Sequence, residues 1–141
     1  MEKIDISYAT VKQAYSTLQE AINDFLEIEK TDNKNTRLLR TFRDSVIKRF
    51  EFCYEVLWKY GKAYLLMYHQ EEALSPKKVF SALYQKRIIS QAESTGLRKI
   101  SDVRNLTTHT YNEENSIEAV QEIIEHYKAF EKILPKIAPE N

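Results

Sequence analysis

The sequence predicts an all-α protein: an antiparallel four-helix up-and-down bundle with one additional short helix. Three observations carry the prediction. Only 2 glycines and 3 prolines occur in 141 residues, too few turn signals for a sheet protein. Apolar residues recur at alternating steps of three and four, the period of one helix face. Helix-start signals precede three of these runs. The length suits one core, and no linker, repeat or low-complexity tract interrupts it, so residues 1–141 read as a single domain.

The first predicted helix spans residues 7–30, with Val11, Tyr15, Leu18, Ile22 and Phe25 as its stripe. TDNKNT, residues 31–36, breaks it, because Asn and Asp side chains compete for backbone hydrogen bonds. A long helix follows over about 37–69. Its stripe reads Leu39, Phe42, Val46, Phe50, Cys53, Leu57, Tyr60, Tyr64 and Met67. Gly61 interrupts it and is read as allowing another helix to cross closely, since a mid-helix glycine otherwise costs about 1 kcal/mol against alanine. Tyr54, Trp58 and Tyr68 lie off the stripe, either flanking the core or forming a second face for self-association. Ser75-Pro76 starts a short helix with Val79, Phe80 and Leu83, serine capping and proline tolerated at the first position. Ser90 with Glu93 fits a capping box, ahead of a helix bearing Leu97, Ile100 and Val103. Asn112 or Asn115 caps the last helix, whose stripe is Ile117, Val120, Ile124, Tyr127, Leu134 and Ile137.

Lys plus Arg equals Asp plus Glu, 21 of each. That balance argues against bulk attachment to nucleic acid or anionic membrane. Cys53 is the only cysteine, so no intrachain disulfide forms. No leader and no long uncharged apolar run is visible, so a cytoplasmic protein without a membrane span is expected. Arg37, Arg40, Arg43, Lys48 and Arg49 form a basic run that either guides RNA phosphates or is a solvated helix face. Glu55 and Lys59 are spaced for simple helix support. His69 and His126 lack ligand-spaced companions, so no metal site is expected. No glycine-rich phosphate loop exists, so no cofactor is expected and the chain should not bind ATP alone.

Two stretches carry a family resemblance: RFEFCYEVLWKYGKAYL, residues 49–65, and DVRNLTTHTYNEE, residues 102–114. In this order, over residues 7–137, the chain resembles the HEPN family and, more closely, its nucleotidyltransferase substrate-binding branch. The resemblance implies a helical bundle that forms a homodimer and a partner that is a minimal nucleotidyltransferase. In some such pairs the HEPN protein is a ribonuclease toxin. The partner silences it by attaching AMP to the tyrosine of Arg-x4-His-x-Tyr. Those positions are Arg104, His109 and Tyr111 here, and Asn105 matches the polar residue that commonly follows the arginine. Arg49 and Glu51 belong to the first stretch, with structural or interface roles. Relatives often carry a tryptophan before the arginine, where this chain has Ser94-Thr95-Gly96-Leu97.

Residues five apart on a straight helix point about 140° apart, so Arg104 and His109 diverge unless the helix ends first. Thr107 and Thr108 are β-branched with poor helix propensity and favour such an end. In the resulting cleft, His109 is the acid/base group that takes a ribose 2′-hydroxyl proton, and Arg104 stabilises phosphorane charge. The simpler expectation is that both groups cap or salt-bridge a helix end, where histidine suits the dipole. Three functional readings follow. The leading one is a binding module for the nucleotidyltransferase; the alternatives are a metal-independent endoribonuclease toxin acting on RNA and a structural helical dimer.

Overall fold

A computed structural model describes residues 6–31 and 34–140. Its elements are α1 (Tyr8–Thr31), α2 (Thr36–His69), α3 (Pro76–Gln85), α4 (Gln91–Thr107), α5 (Glu113–His126), α6 (Lys128–Ile133) and a closing 3₁₀ turn, Leu134–Ile137. No strand occurs among the described residues, and none of their helices is long and apolar enough to cross a membrane. Residues 32 and 33 of the expected TDNKNT turn lie outside the described residues.

The helix starts follow local side-chain chemistry. Asn35 Oδ1 accepts from Leu38 N at 3.0 Å and caps α2. Ser75 Oγ accepts from Lys78 N, with Pro76 at the first position of α3. Ser90 and Glu93 form both halves of the capping box on α4. Asn112, not Asn115, caps α5: its Oδ1 accepts from Asn115 N at 2.8 Å. Each cap satisfies a backbone donor that the helix leaves unpaired.

Tyr8, at the start of α1, meets Tyr60, far along α2, with ring centroids 5.6 Å apart. The two long helices therefore run antiparallel. Their packing is the most extensive in the molecule, while α3 and α5 also lie on α2 and α4 lies on α5. Phe50, Leu18, Leu57, Leu97, Ile100 and Ile123 are fully buried where these faces meet. Gly61 does admit a close crossing: a Cβ there would stand 2.9 Å from Cγ1 of Val79 on α3. At Gly96, a Cβ would stand 3.2 Å from Cβ of Ala129 on α6, so α4 crosses α6 closely at the Ser94–Leu97 stretch.

Three expectations need correction. The last helix is not continuous: α5 stops at His126, α6 is short, and Leu134–Ile137 tightens to 3₁₀. This last turn leaves carbonyls with no following helical N–H to pair with. Tyrosines from α1 and α2 supply the missing donors: Tyr8 Oη donates to Leu134 O at 2.7 Å, and Tyr60 Oη to Ile137 O at 2.8 Å. The stripe of α5 is also shifted. Ser116, Ala119, Val120 and Ile123 face inward, while Ile117 is exposed and Ile124 half-buried. On α2, Met67 is exposed and Leu65 takes the interior position. Both shifts occur in runs with apolar residues on several sides, where the neighbouring elements decide which face is covered.

Tyr54 is buried, and Trp58 and Tyr68 pack partly buried against the core, so these three flank the core. The large apolar groups exposed on and just after α2 are Phe52, Leu66, Met67 and Leu74.

Burial pushes the Cys53 thiol and the Tyr60 phenol each up to about 12. Both folded-state values exceed the ordinary ones, so neutral Cys53 and Tyr60 favour folding. Their contribution is whole below the ordinary thiol and phenol range and is lost as pH rises toward 12. Denaturant midpoints should therefore fall steeply between about pH 10 and pH 12. Cys53 should react with a thiol reagent only as fast as the chain unfolds. Rapid labelling of native protein at neutral pH would contradict this burial.

Candidate functional site

The last turn of α4 ends through threonine chemistry. Thr107 Oγ1 donates to Arg104 O at 2.8 Å, and Thr108 Oγ1 to Asn105 O at 2.7 Å. Thr110 Oγ1 donates to Thr107 O at 3.3 Å. Three hydroxyls thus bond carbonyls of the last turn, with the Asn105 carbonyl also accepting from Thr108 N at 3.3 Å. The next stretch is tied to α5: Asn115 Nδ2 donates to His109 O at 2.7 Å, and Ser116 Oγ contacts Thr110 O at 3.3 Å. The turn over residues 108–112 is therefore hydrogen-bonded at nearly every step.

Arg104 sits in the last turn of α4 with its side chain about one-quarter exposed; Nη1 donates to Glu51 Oε2 on α2 at 3.1 Å and to Thr107 Oγ1 at 3.0 Å. Beside this pair, the Tyr54 and Ser101 hydroxyls stand 3.3 Å apart. Burial pushes the Tyr54 phenol above its ordinary value, opposed by Ser101 and the nearby Arg104 charge. Asn105 and His109 are exposed, and His109 lies in the turn outside α4. Tyr111 is 83% exposed, more than any other large apolar or aromatic side chain described.

On the other side of the turn, Arg43 of α2 reaches Glu113 in the first turn of α5, with Nη1 3.7 Å from Oε1. Arg43 is buried, so one of the five expected cations is withdrawn from solvent, while Arg37, Arg40, Lys48 and Arg49 are exposed. The turn is thus bracketed by two ion pairs to α2, Glu51–Arg104 before it and Arg43–Glu113 after it. Sequence reasoning did not find this bracket. A basic run and an acid in a motif do not show which helix lies opposite.

His126 does have acidic neighbours at ligand spacing. Ligand atoms of Glu122, Glu125 and His126 lie within 4.8 Å of one another on α5. The i,i+4 step from Glu122 to His126 places them on one helix face. No observation beyond this proximity points to a bound ion. Glu55 and Lys59 pair as expected, at 3.6 Å.

Thr107→Val tests the termination chemistry. It removes the buried hydroxyl that serves both the Arg104 carbonyl and guanidinium. The expected destabilisation is about 1–3 kcal/mol, read from urea midpoints. A change within 0.3 kcal/mol, on the order of measurement error for neutral substitutions, would show that water replaces the hydroxyl freely.

A family model described as "Nucleotidyltransferase substrate binding protein like" matches residues 7–138. No curated protein matches the chain significantly in sequence. Among solved structures, one from Thermus thermophilus is 25% identical with a TM-score of 0.65, covering 86% of this chain and 99% of its own. A variant of the toxin–antitoxin MntA–HpeT is 23% identical, covering 90% and 95%, with a TM-score of 0.67. The tri-AMPylated Shewanella oneidensis HEPN toxin in complex with MNT antitoxin is 22% identical, covering 97% and 98%, with a TM-score of 0.66. The last two likenesses are likenesses of fold.

Proposed function

Because this chain belongs to the nucleotidyltransferase substrate-binding protein-like family, we propose that it is the HEPN subunit of a two-component, toxin–antitoxin-type system, binding a minimal nucleotidyltransferase that adenylylates Tyr111. On this reading residues 1–141 are one cytoplasmic domain, α1, α2, α4 and α5 form an antiparallel bundle, and the chain works as a homodimer. The observation that carries the proposal is the combination of a firmly hydrogen-bonded turn with an 83% exposed tyrosine upon it. A fixed, protruding phenol suits an active site that must receive it from another protein.

In the reaction, the Tyr111 phenol oxygen attacks the α-phosphorus of ATP. Pyrophosphate leaves, the phenolic proton passes to a base, and a tyrosyl phosphodiester remains. The partner supplies the metal and the nucleotide site. Co-expression with a minimal nucleotidyltransferase encoded beside the chain should add an AMP-sized mass to the Tyr111 peptide. An active partner that leaves that peptide unmodified would overturn the reading.

A second reading, an endoribonuclease, draws on α4 ending three residues after Arg104, which leaves His109 on the solvent side of the turn. His109 would take the 2′-hydroxyl proton, the 2′-oxygen would attack phosphorus, and the 5′-oxygen would leave with a proton from water, giving a 2′,3′-cyclic phosphate and a 5′-hydroxyl. Arg104 would stabilise the phosphorane, and Asn105 would support it. Growth arrest on induction of the chain alone, relieved in Arg104→Ala and His109→Ala, is the expected result. Arrest that persists in His109→Ala would remove histidine from the chemistry.

A further inference from the structure

We propose that Glu51 is the positioning residue of a phosphodiester-binding site at Arg104: its carboxylate orients the guanidinium, and its charge holds affinity for that anion down. The inference rests on the reading that the 104–111 stretch meets phosphodiesters, either RNA linkages or the tyrosyl-AMP linkage, which carry the same single negative charge.

Both hydrogens of Arg104 Nη1 are committed, one to Glu51 Oε2 at 3.1 Å and one to Thr107 Oγ1 at 3.0 Å. The Nε and Nη2 donors have no hydrogen-bond partner among the described residues. A guanidinium offers five donors in a planar fork, and one edge suffices to hold two oxygens of a phosphate. With 26% of the Arg104 side chain exposed, it is neither sealed in the core nor free to wander. Its two partners come from different helices, α2 and α4, so the plane of the fork is set by tertiary packing. Glu51 itself is anchored by its neighbour Phe50, which is fully buried.

The same carboxylate opposes the ligand. A phosphodiester on the free edge would lie a few ångströms from the Glu51 charge, and like charges at such a separation repel appreciably near a protein surface. Three groups beside the pair, Tyr54, Ser101 and Thr107, are hydroxyls. The Thr107 hydrogen is already given to the Arg104 carbonyl, and none of the three hydroxyls offsets the carboxylate. The site therefore has the geometry of a phosphate fork with its net charge neutralised from within.

The two roles of Glu51 separate by substitution. Glu51→Gln keeps an oxygen acceptor for Nη1 and removes the charge. Glu51→Ala removes both. Binding of a fluorescein-labelled single-stranded RNA oligonucleotide, followed by anisotropy across salt concentrations, should be about tenfold tighter for Glu51→Gln, which corresponds to about 1.4 kcal/mol. The slope of log affinity against log salt should steepen by roughly 0.7, one phosphate contact on a single strand. Glu51→Ala should fall short of that gain, and Glu51→Gln/Arg104→Ala should lose it. A purely structural ion pair predicts weaker binding in Glu51→Gln. Equal or weaker binding in that folded variant, a gain that survives without Arg104, or no RNA binding by any variant overturns the proposal. Should Glu51→Gln melt below the assay temperature, Glu51→Asp, which withdraws the charge by one methylene, should show a smaller gain, and no gain overturns the proposal. Repeating the measurement on adenylylated protein distinguishes the sources. Loss of the gain assigns the fork to the tyrosyl linkage as well, and persistence assigns it to RNA. Tyr111 adenylylation of the wild type, read by mass, tests the partner reading separately, so either can fail alone.

Discussion

Phe50→Ala should lower the unfolding free energy by about 3–5 kcal/mol, among the largest losses expected from any one side chain. Phe50 is fully buried on α2, and its ring lies 5.8 Å from that of Phe130 on α6. Phe130 in turn contacts Tyr15 of α1, with centroids 6.4 Å apart. Alanine would open a cavity where three helices meet, and close packing on all sides leaves little room for collapse. For a chain of this size, the melting temperature should drop by roughly 10–20 °C, measured by calorimetry. The loss should reach the candidate site as well, because Glu51 is the next residue along α2. A loss of less than about 1 kcal/mol would mean that the core closes over the missing ring, as only the best-relaxing sites do.

Tyr111→Phe should abolish AMP incorporation and leave stability unchanged to within about 0.5 kcal/mol, as surface substitutions usually do. The phenol oxygen is the only atom removed, and the ring is 83% exposed. Other tyrosines are poorly placed to substitute. The phenols of Tyr8, Tyr15, Tyr60 and Tyr64 donate hydrogen bonds that tie down residues 131–140. Tyr54 and Tyr127 are buried, Tyr68 is half-buried, and Tyr84, at 43%, is the only other exposed tyrosine. Mass spectrometry of the co-expressed variant checks the result. Modification that continues at Tyr84 would move the acceptor to the α3–α4 end of the molecule and separate it from Arg104 and His109. Arg104→Ala combined with Tyr111→Phe would then have no reason to behave as one unit.

The helix starts were legible because caps act within one turn. Ser75, Ser90 and Asn112 each reach a donor three residues away, so the whole interaction lies inside a short stretch of sequence. The end of α4 was expected from the poor helix propensity of β-branched Thr107 and Thr108; that their hydroxyls serve carbonyls three residues back is seen only in the structure. The stripes of α1 and of most of α2 were also readable, because one face is clearly more apolar than the rest. The break at Tyr127 was not. Residues 113–137 hold a helical period throughout, so spacing does not mark it; nor does it mark the later 3₁₀ turn, whose Leu134 and Ile137 carbonyls are served by hydroxyls of Tyr8 and Tyr60, more than seventy residues upstream. Nor could spacing show that Ile117 and Met67 face outward, since apolar residues also fill the adjacent positions.

By itself, then, the amino-acid order determined an all-helical chain, the points where most helices begin, the end of α4, and a motif of arginine, histidine and tyrosine about that end. Those properties depend on contacts within a few residues. Only the tertiary structure decided that Glu51 faces Arg104, that Arg43 is drawn inward to Glu113, and that Tyr111 stands in solvent. Ion pairing and exposure are set by which helices lie side by side. That choice comes from burying whole apolar faces together, and no single short stretch contains it.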